Sequence, residues 1–344
     1  MEKMILLTGG TGMLGAHVLL DLVKQGKKVR ALKRSSSNLS QVKQVFEAYS
    51  ANAEELFRQI EWVDGDVTNL LSLKPYFAGV DTVIHTAAMV SFHSDDRETM
   101  LFNNIEGTAN MVNLALEFNV RKFCHVSSIA AVGRAENGES ITEKHQWIPD
   151  KKHSSYSESK FFSEMEVWRG IEEGLDAVIV NPSVILGVGN WKMGSPQYFS
   201  IVNDGLKFFT KGGTGYVDAR DVSNVILLTL DEANWEKTKN QRYIVSAENV
   251  RHQDVFNYIA EELNVQKPSI YANSIMLSLA WRAAKLVELI TRKKAAITRE
   301  TVSGADQFNQ YCGKKITEVV AFQYRTVEES VRQIASIFKQ QSSV

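Results

Sequence analysis

Cysteine and proline are scarce in this sequence of 344 residues, which contains two cysteines and five prolines. Cys124 and Cys312 form neither a short-spaced metal-binding pair nor the framework of a disulfide-rich protein. Disulfide-poor chains are typical of reducing compartments, so we expect a cytoplasmic protein. The prolines cluster nowhere, and no linker or repeat is visible.

An excess of charge of one sign is also absent. The chain has 39 Lys and Arg residues against 40 Asp and Glu residues, a formal net charge of -1. This balance predicts no general attraction to nucleic acid or to an anionic membrane. A small molecule is therefore the expected partner.

No apolar run is long enough to cross a membrane. The longest apolar stretch, residues 274–290, is interrupted by Arg282, Lys285 and Glu288. We predict an amphipathic helix there, with Leu277, Trp281, Leu286 and Leu289 packed onto the protein, and no stable membrane insertion. Contact of this helix with a membrane or a lipid-like substrate remains the alternative.

Metal-ligand spacing is missing as well. The chain has seven histidines, and none of the following five stands in an HExxH or CxxC-like pattern: His85, His93, His125, His145 and His153. His125 lies in a predicted buried strand and His85 at a strand end. Packing or contact with a cofactor is the better interpretation, and no metal site is predicted.

Short apolar runs alternate with helical patterns through the first half of the chain. The predicted strands are Met4–Leu7, Lys28–Leu32, Glu61–Val63, Thr82–His85, Lys122–Val126 and Ala177–Asn181, and the clearest helices are Gly12–Gln25, Glu98–Asn119 and Ser155–Glu173. Parallel strands need a crossover, and helices at these intervals supply one. The pattern predicts an α/β protein with a Rossmann-type, doubly wound parallel sheet.

The second half of the chain predicts a smaller lobe. After Pro182 the sequence becomes rich in Gly, Trp and Met, and a strand–helix pattern resumes over Tyr216–Leu230. We expect residues 1–182 and 216–234 to form the nucleotide-binding domain. Residues 183–215 and 235–344 should form a mostly helical substrate lobe over the carboxyl ends of the strands, where open α/β sheets bind ligands.

A glycine-rich loop follows the first predicted strand directly. It reads Thr8-Gly9-Gly10-Thr11-Gly12-Met13-Leu14-Gly15 and opens an apolar helix. Gly9 permits a tight turn, Gly12 lets the backbone approach a pyrophosphate, and Gly15 lets helix and strand pack closely. With the helix amino terminus facing the anion, this context predicts a dinucleotide site.

The end of the second strand indicates which dinucleotide is bound. An NAD site places a carboxylate there, whereas no Asp or Glu occurs between Asp21 and Glu47. Arg34 can pair with a 2′-phosphate and Ser35 can donate a hydrogen bond to it. We predict NADP, with NADPH as the donor, over NAD; a solvated basic loop is the alternative.

A candidate acid–base pair lies in the third long helix. Tyr156 and Lys160 are four residues apart and so share one face. A nearby cation favours phenolate by up to about 4 kcal/mol at 4 Å and an effective dielectric of ~20, before desolvation. The strand Lys122–Val126 ends in Ser127-Ser128, whose hydroxyls can polarise a substrate oxygen or cap a helix.

These ordered motifs resemble those of extended short-chain dehydrogenases/reductases, the NAD-dependent epimerase/dehydratase superfamily, and within it the dihydroflavonol-4-reductase and 3β-hydroxysteroid-dehydrogenase-like branch. The resemblance spans nearly the whole chain. It rests on Thr8–Gly15, Gly65-Asp66-Val67, His85-Thr86-Ala87-Ala88, Asn104–Asn110, Val126-Ser127-Ser128, Tyr156–Lys160, Asn181-Pro182-Ser183 and Tyr216–Val222.

The resemblance implies roles for individual residues. Ser128, five residues before Gly133, would be the catalytic hydroxyl, and Asn104 would support the active site. Lys160 would also hold the nicotinamide ribose. The resemblance implies cofactor contacts for Asp66 and Val67 at the adenine, for His85, Ala87 and Ala88 along the cofactor, and for Asn181 and Ser183 near the nicotinamide.

The substrate is less well indicated. Met89, Ser91, Trp191 and Tyr198 are candidates for its contacts, although aromatic residues in a small lobe are as often core. Nucleotide-sugar epimerases commonly carry Val-Tyr-Gly where this chain has Ala131-Val132-Gly133, and the corresponding dehydratases carry Asp-Glu in place of Ile129-Ala130. Residues 183–215 offer only Lys192, Lys207 and Lys211 to grip a diphosphate.

The prediction is therefore an NADPH-dependent reductase of a ketone or aldehyde on a fairly apolar small molecule, or the reverse dehydrogenase. An NAD-dependent nucleotide-sugar epimerase or dehydratase is the first alternative, and a non-catalytic NADP sensor is the second. The resemblance also suggests a homodimer formed through the helices Glu98–Asn119 and Ser155–Glu173.

Overall fold

A seven-stranded sheet forms the centre of the protein, which was analysed as a computed structural model. The structure describes residues 3–135, 138–149, 153–291, 298, 302 and 304–342. The strands are β1 Met4–Thr8, β2 Lys28–Lys33, β3 Glu61–Asp64, β4 Val80–His85, β5 Lys122–Val126, β6 Ala177–Pro182, β7 Val184–Leu186, β8 Phe208–Phe209, β9 Gly213–Asp218, β10 Gln241–Val245, β11 Glu248–Arg251 and β12 Ile270–Tyr271.

Every neighbouring pair in the central sheet is parallel, in the order β10-β6-β5-β4-β1-β2-β3. The described α-helices are α1 Met13–Lys24, α2 Ser40–Tyr49, α3 Ala53–Arg58, α4 Leu70–Leu73, α5 Arg97–Glu117, α6 Ser155–Glu172, α7 Gln197–Asn203, α8 Ala219–Leu230, α9 Trp235–Thr238, α10 His252–Leu263, α11 Ser274–Thr291, α12 Lys314–Val319 and α13 Val327–Ser342. The predicted Rossmann-type doubly wound sheet is confirmed.

Two apolar clusters cover the two faces of this sheet. Successive strand residues point to opposite faces, so on β1 Leu7 joins one cluster and Leu6 the other. The first cluster includes buried residues of α1 and α8, and the second includes those of α5 and α6. Strands buried on both faces read as continuous apolar runs, which is why the sequence revealed them.

Two short sheets lie outside the central one. In the first, β9 lies between β7 and β11, and in the second β8 pairs with β12. The strand at Tyr216 therefore belongs to a small sheet and does not return to the central one, whereas α8 packs on α1 beside the central sheet. Conversely, β10 comes from the 235–344 segment and pairs with β6 at the edge of the central sheet.

The predicted helix over residues 274–290 is present as α11, with an orientation that differs in part. Leu277 and Trp281 are half-buried, as predicted, but the Leu286 side chain is 62% exposed. At about 100° per residue, Leu286 lies on the opposite side of the helix from Trp281. The side chain of Leu289 falls outside the described residues. Among the described helices, none is both long and apolar enough to cross a membrane.

Candidate active site

The glycine-rich loop forms a tight turn between β1 and α1. Gly9 has a φ of +73°, and a Cβ there would lie 2.6 Å from the backbone N of Ala87. A Cβ on Gly15 would lie 2.2 Å from the carbonyl oxygen of Gly9, so only glycine lets the helix sit on the turn. No side chain caps α1 at Gly12, and its first turn carries no carboxylate. The unpaired N–H groups therefore suit an anion.

Gly15→Ala is expected to weaken dinucleotide binding. The clashing atoms are backbone, so α1 must move away from the turn, at a cost of about 1–3 kcal/mol, or roughly 5- to 150-fold in the dissociation constant. Cofactor binding can be followed by nicotinamide fluorescence. Gly304→Ala is the control because its nearest neighbour is the Gln307 side chain at 3.9 Å. Unchanged affinity in Gly15→Ala would contradict this account of the loop.

Thr8 and His85 pack beneath the loop. The Thr8 hydroxyl lies 2.7 Å from Nδ1 of His85, whose Nε2 lies 3.1 Å from the Thr108 hydroxyl. Burial lowers the pKa of His85 to about 3, with Lys160 acting in the same direction, so the imidazole is neutral. His85 thus orders the start of the segment after β4, which carries Ala87 and Ala88.

The predicted adenine end contains an Asx turn. Asp66 Oδ1 accepts hydrogen bonds from the backbone N and the hydroxyl of Thr68, at 2.9 and 2.8 Å. Val67 is half-buried against Gly107, where a Cβ would come within 2.8 Å of its Cγ2. Asn110 donates to the Val67 carbonyl at 3.0 Å. The turn and α5 together hold Asp66 and Val67 beside the sheet edge.

Arg34 and Ser35 are exposed just beyond β2. Among the described residues, the Arg34 guanidinium has no hydrogen-bonding or ion-pair partner. The structure also brings a carboxylate to this point that the sequence did not show, because Asp64 at the end of β3 is the register partner of Lys33. Lys33 Nζ binds Asp64 Oδ1 at 2.5 Å, which neutralises that carboxylate beside Arg34.

Tyr156 and Ser128 meet where β5 ends and α6 begins. The Ser154 side chain caps α6 and Ser128 caps a 3₁₀ turn over Ile129–Ala131, with its Oγ accepting from the Ala130 N at 3.1 Å. The Ser128 side chain also lies close enough to the Tyr156 phenol to lower its pKa, against the raising effect of burial. The Ser128 hydroxyl therefore both caps the 3₁₀ turn and lies beside the Tyr156 phenol.

The Lys160 ammonium occupies a different position from the expected one. It is buried and donates to the Val126 carbonyl at 2.9 Å. A buried ammonium needs an acceptor, and the last carbonyl of β5 supplies it. Burial raises the pKa of Tyr156, against the lowering effect of Ser128, and Lys160 is not among the groups that shift it. The predicted stabilisation of phenolate by Lys160 is thus not seen in this arrangement.

Catalysis should fall as pH rises above about 8. Burial lowers the pKa of Lys160 to about 8, and Glu164 opposes this shift. If protonated Lys160 is needed, kcat/KM should drop about tenfold per pH unit beyond that value. Steady-state rates between pH 6 and about 10 test this, with Lys160→Arg as the comparison that stays charged. A flat wild-type profile would remove Lys160 from the titrating machinery.

Glu164, one turn beyond Lys160, was not anticipated from the sequence. Its fully buried carboxylate accepts from Ser127 Oγ and Asn181 Nδ2 at 2.8 Å each, and from Arg242 at 3.2 Å. Asn181 also donates to the Ser128 carbonyl at 3.0 Å. The only signal in the sequence is the spacing: Glu164 follows Tyr156 and Lys160 at intervals of four residues, so it lies on the same buried face of the helix.

Asn104 joins α5 to the segment after β4 and to α6. Its amide exchanges hydrogen bonds with the backbone N and O of Met89 at 2.7 and 2.9 Å, and its Nδ2 also lies 3.0 Å from Ser159 Oγ. Ser159 in turn donates to the Tyr156 carbonyl at 2.8 Å. Asn104 therefore links the segment after β4 to the helix that carries Tyr156.

A cavity of about 990 Å³ lies next to this constellation, and it is lined by chain neighbours of Ser128 and Tyr156 rather than by those two residues themselves. Its wall includes Ile129 and Ala130, which follow Ser128 directly, and Ser157, which follows Tyr156. Phe92 also lines it and contacts the Tyr156 ring, with centroids 5.9 Å apart. Further lining residues come from the carboxyl-terminal lobe: Trp281, Lys285, Glu288, Gln307, Asn309 and Tyr311.

The four predicted substrate contacts are not part of this wall. Trp191 packs against Phe199 and Phe338, and Tyr198 packs edge-on against Phe256. These aromatic residues fill the interface of α7, α10 and α13, so core packing was the correct interpretation for them. Met89 and Ser91 shape the segment that carries Phe92: Met89 through Asn104, and Ser91 by a 2.7 Å hydrogen bond to Asp96.

Within the described part of the chain, no cluster of three or more His, Cys, Asp or Glu could hold a metal ion. A dinucleotide fits better, because Gly9 and Gly15 form a turn that a Cβ would fill. Asn181 Oδ1, at the predicted nicotinamide end, is buried without a hydrogen-bond partner, and Ser183 is buried beside it, its N bonded to the Val245 carbonyl at 3.0 Å.

Comparisons with known proteins agree with this geometry. The model of the NAD dependent epimerase/dehydratase family matches residues 5–245. The chain is 27% identical over 339 residues to a provisionally named dihydroflavonol 4-reductase of Synechocystis sp., covering 96% of this chain and 93% of that protein. It is 28% identical to sterol demethylase protein B of Methylococcus capsulatus, over 77% and 76% of the two chains. The crystal structure of gox2253 superposes with a TM-score of 0.79 at 26% identity, covering 99% of both chains.

Proposed function

This chain belongs to the NAD dependent epimerase/dehydratase family, whose members are NAD(P)-dependent oxidoreductases and epimerases, and on that premise we propose that it is an NADPH-dependent carbonyl reductase. Its substrate is a ketone or aldehyde on a fairly apolar small molecule. The observation that carries the proposal is the cavity that adjoins Ser128 and Tyr156, with Phe92, Ile129 and Trp281 in its wall. A full-length relative named as a reductase supports the direction.

The chain's own residues divide the chemistry between them. The nicotinamide supplies hydride when bound. Tyr156 donates a proton to the substrate oxygen, and its raised pKa keeps the phenol protonated at neutral pH, which is the form that reduction needs. Ser128 orients that oxygen through its hydroxyl. Lys160 holds a positive charge beside the strand end and would bind the nicotinamide ribose, while Asn104 positions α6.

Cofactor preference follows from the end of β2. Arg34 and Ser35 are exposed there, and the carboxylate of Asp64 is paired with Lys33. A free carboxylate at this point would repel a 2′-phosphate, whereas an unpaired guanidinium binds it by charge-assisted hydrogen bonds. We therefore assign NADPH as the donor and NADH as the poorer one.

Arg34→Gln is expected to raise KM for NADPH about tenfold while leaving KM for NADH nearly unchanged. A hydrogen bond to a charged group contributes about 1.5–3 kcal/mol, and exposure of Arg34 places the effect at the lower end. Arg34→Lys should lose less because it retains the charge. Equal changes with both cofactors, or none, would assign selectivity to another residue.

Substrate class is tested with purified protein and a panel of carbonyl compounds. Aldehydes, ketones and sterol ketones are each supplied with NADPH, and UDP-sugars with NAD. Oxidation of NADPH by apolar carbonyls supports the proposal. Interconversion of UDP-sugars with retained NAD would support the epimerase alternative, and tight NADPH binding without turnover on any compound would support a sensor.

A homodimer through α5 and α6 completes the proposal. The two helices pack together, and each carries an exposed phenylalanine, Phe102 on α5 and Phe162 on α6. Exposed aromatic residues on one pair of helices are typical of association surfaces. Light scattering that reports a monomer would dismiss the dimer.

A further inference from the structure

The outward face of α11 is apolar. Ile275, Leu279, Leu286 and Val287 are 69%, 63%, 62% and 56% exposed. At about 3.6 residues per turn these positions share one side of the helix. Ala283, also exposed, lies between them. A surface helix normally directs its apolar side towards the core, whereas α11 directs its apolar side towards solvent.

The inward side of the same helix meets the substrate cavity. Leu277, Trp281 and Glu288 are half-buried, and Trp281, Lys285 and Glu288 line the cavity. The helix therefore forms part of the cavity wall with one face, and the residues that the structure describes leave its apolar face exposed. No packing role within the described chain accounts for the outer side chains.

Two further apolar residues precede the helix. Ile270 of β12 pairs in register with Phe208 of β8, and their side chains are 43% and 46% exposed. Ile270 stands four residues before the first residue of α11. We call the set Phe208, Ile270, Ile275, Leu279, Leu286 and Val287 the α11 patch. Exposed apolar side chains gathered on one face of a helix are typical of an interaction surface.

Cations flank the α11 patch, and one carboxylate lies near its edge, because Asp306 accepts from the hydroxyl of Tyr271, next to Ile270, at 3.0 Å. Arg282 is exposed at a position on the apolar side, and its guanidinium lies over the Trp281 ring, 4.9 Å from the centroid, and donates to the Ser278 carbonyl. Lys285 lies at the edge of the apolar side, and Lys207 directly precedes Phe208. The sole carboxylate of α11, Glu288, is on the cavity side. In sequence the helix is followed by the basic run Arg292-Lys293-Lys294, which lies outside the described residues.

We propose that the α11 patch docks the protein on an anionic phospholipid bilayer. The helix lies parallel to the surface, with its apolar side chains at the boundary between headgroups and acyl chains and its cations among the lipid phosphates. A second copy of the chain fits less well, because a two-fold contact would bring Arg282 towards its own copy with no carboxylate on this side of the helix. Bilayer docking also places the cavity wall beside the lipid, a consequence that rests on the proposed function.

Vesicle co-sedimentation of the full chain tests the proposal. Wild-type protein should bind vesicles of equal parts phosphatidylcholine and phosphatidylglycerol, and bind pure phosphatidylcholine more weakly. The triple variant Ile275→Gln/Leu279→Gln/Leu286→Gln should lower partitioning at least about tenfold. Arg282→Gln should lower it about fivefold, and only with the anionic lipid.

The control is Leu71→Gln/Ile148→Gln, which changes two side chains that are 81% and 70% exposed outside the patch. It should bind vesicles like the wild type. A wild-type protein that stays in the supernatant with both lipids overturns the proposal, as does undiminished binding of the triple variant. Loss of a dimer in the triple variant, without vesicle binding by the wild type, would assign the face to a second copy.

The outcome is separable from that of the reductase assay. The outer side chains of α11 do not line the cavity, so the triple variant should reduce a water-soluble carbonyl compound like the wild type. Vesicle binding without NADPH oxidation would leave the docking surface standing and remove the proposed function. NADPH oxidation without vesicle binding would support the proposed function and remove the docking surface.

Discussion

Replacing Tyr156 with phenylalanine is expected to lower kcat for NADPH-dependent reduction about 100- to 10,000-fold. The substitution removes one hydroxyl and keeps the ring, including its contact with Phe92 at 5.9 Å between centroids. Proton donation to the substrate oxygen is lost, whereas the glycine loop is untouched. Cofactor affinity should therefore change little, and the loss should appear in kcat rather than in KM for NADPH.

Tyr198→Phe is the matched control for this result. Tyr198 is another tyrosine with a pKa raised by burial, but it packs against Phe256 away from the cavity. Its variant should turn over at near the wild-type rate. Equal activity of Tyr156→Phe and wild type would exclude the phenol as the proton donor and redirect attention to Ser128.

Removing the buried Glu164 carboxylate should have the largest effect on stability. Glu164→Ala leaves the Arg242 guanidinium without its carboxylate and removes the acceptor for Ser127 and Asn181. Breaking a buried pair from one side costs about 3–5 kcal/mol, because the remaining charge is uncompensated. Urea unfolding followed by circular dichroism measures the change.

The surface pair Glu166–Arg169 on the same helix provides the control. It is a more exposed ion pair at 2.9 Å, and such pairs contribute about 0–1 kcal/mol, so Glu166→Ala should be nearly neutral. The double variant Glu164→Met/Arg242→Met should recover part of the loss, since no unpaired charge remains. A Glu164→Ala protein as stable as Glu166→Ala would show that the network contributes nothing.

Glu164 should also affect the pH profile. Its carboxylate raises the pKa of Lys160, against the lowering effect of burial. In a variant such as Glu164→Gln, Lys160 should lose its proton at lower pH, and the alkaline fall in activity should move down accordingly. The direction of this shift separates an electrostatic role from a purely structural one.

Local patterns were sufficient for the nucleotide-binding half. The turn at Gly9, the close approach at Gly15 and the alternation of buried strands with helices depend on backbone sterics and short-range periodicity. Those constraints act over a few residues, so they can be recognised in the amino-acid sequence. The parallel sheet and the meeting of Ser128 with Tyr156 at its carboxyl edge followed from them.

Contacts between residues far apart in the sequence determine the partners of the charged side chains, which the sequence did not indicate. Asp64 reaches Lys33 through strand register, Arg242 reaches Glu164 from an edge strand at a separation of 78 residues, and Lys160 turns to the Val126 carbonyl. Each pairing depends on burial and on proximity in the folded chain, and the spacing of residues in the sequence does not predict it. The same reason explains why Trp191 and Tyr198 became core.

The sequence by itself determined the Rossmann-type fold, the dinucleotide loop and the candidate hydroxyl, phenol and ammonium groups, because each depends on local geometry. The tertiary structure alone decided which residues line the cavity, which buried charges meet and which side of α11 faces out. Periodicity located an amphipathic helix there, but it could not tell which face the rest of the chain would cover, because that depends on the shape of the lobe beneath it.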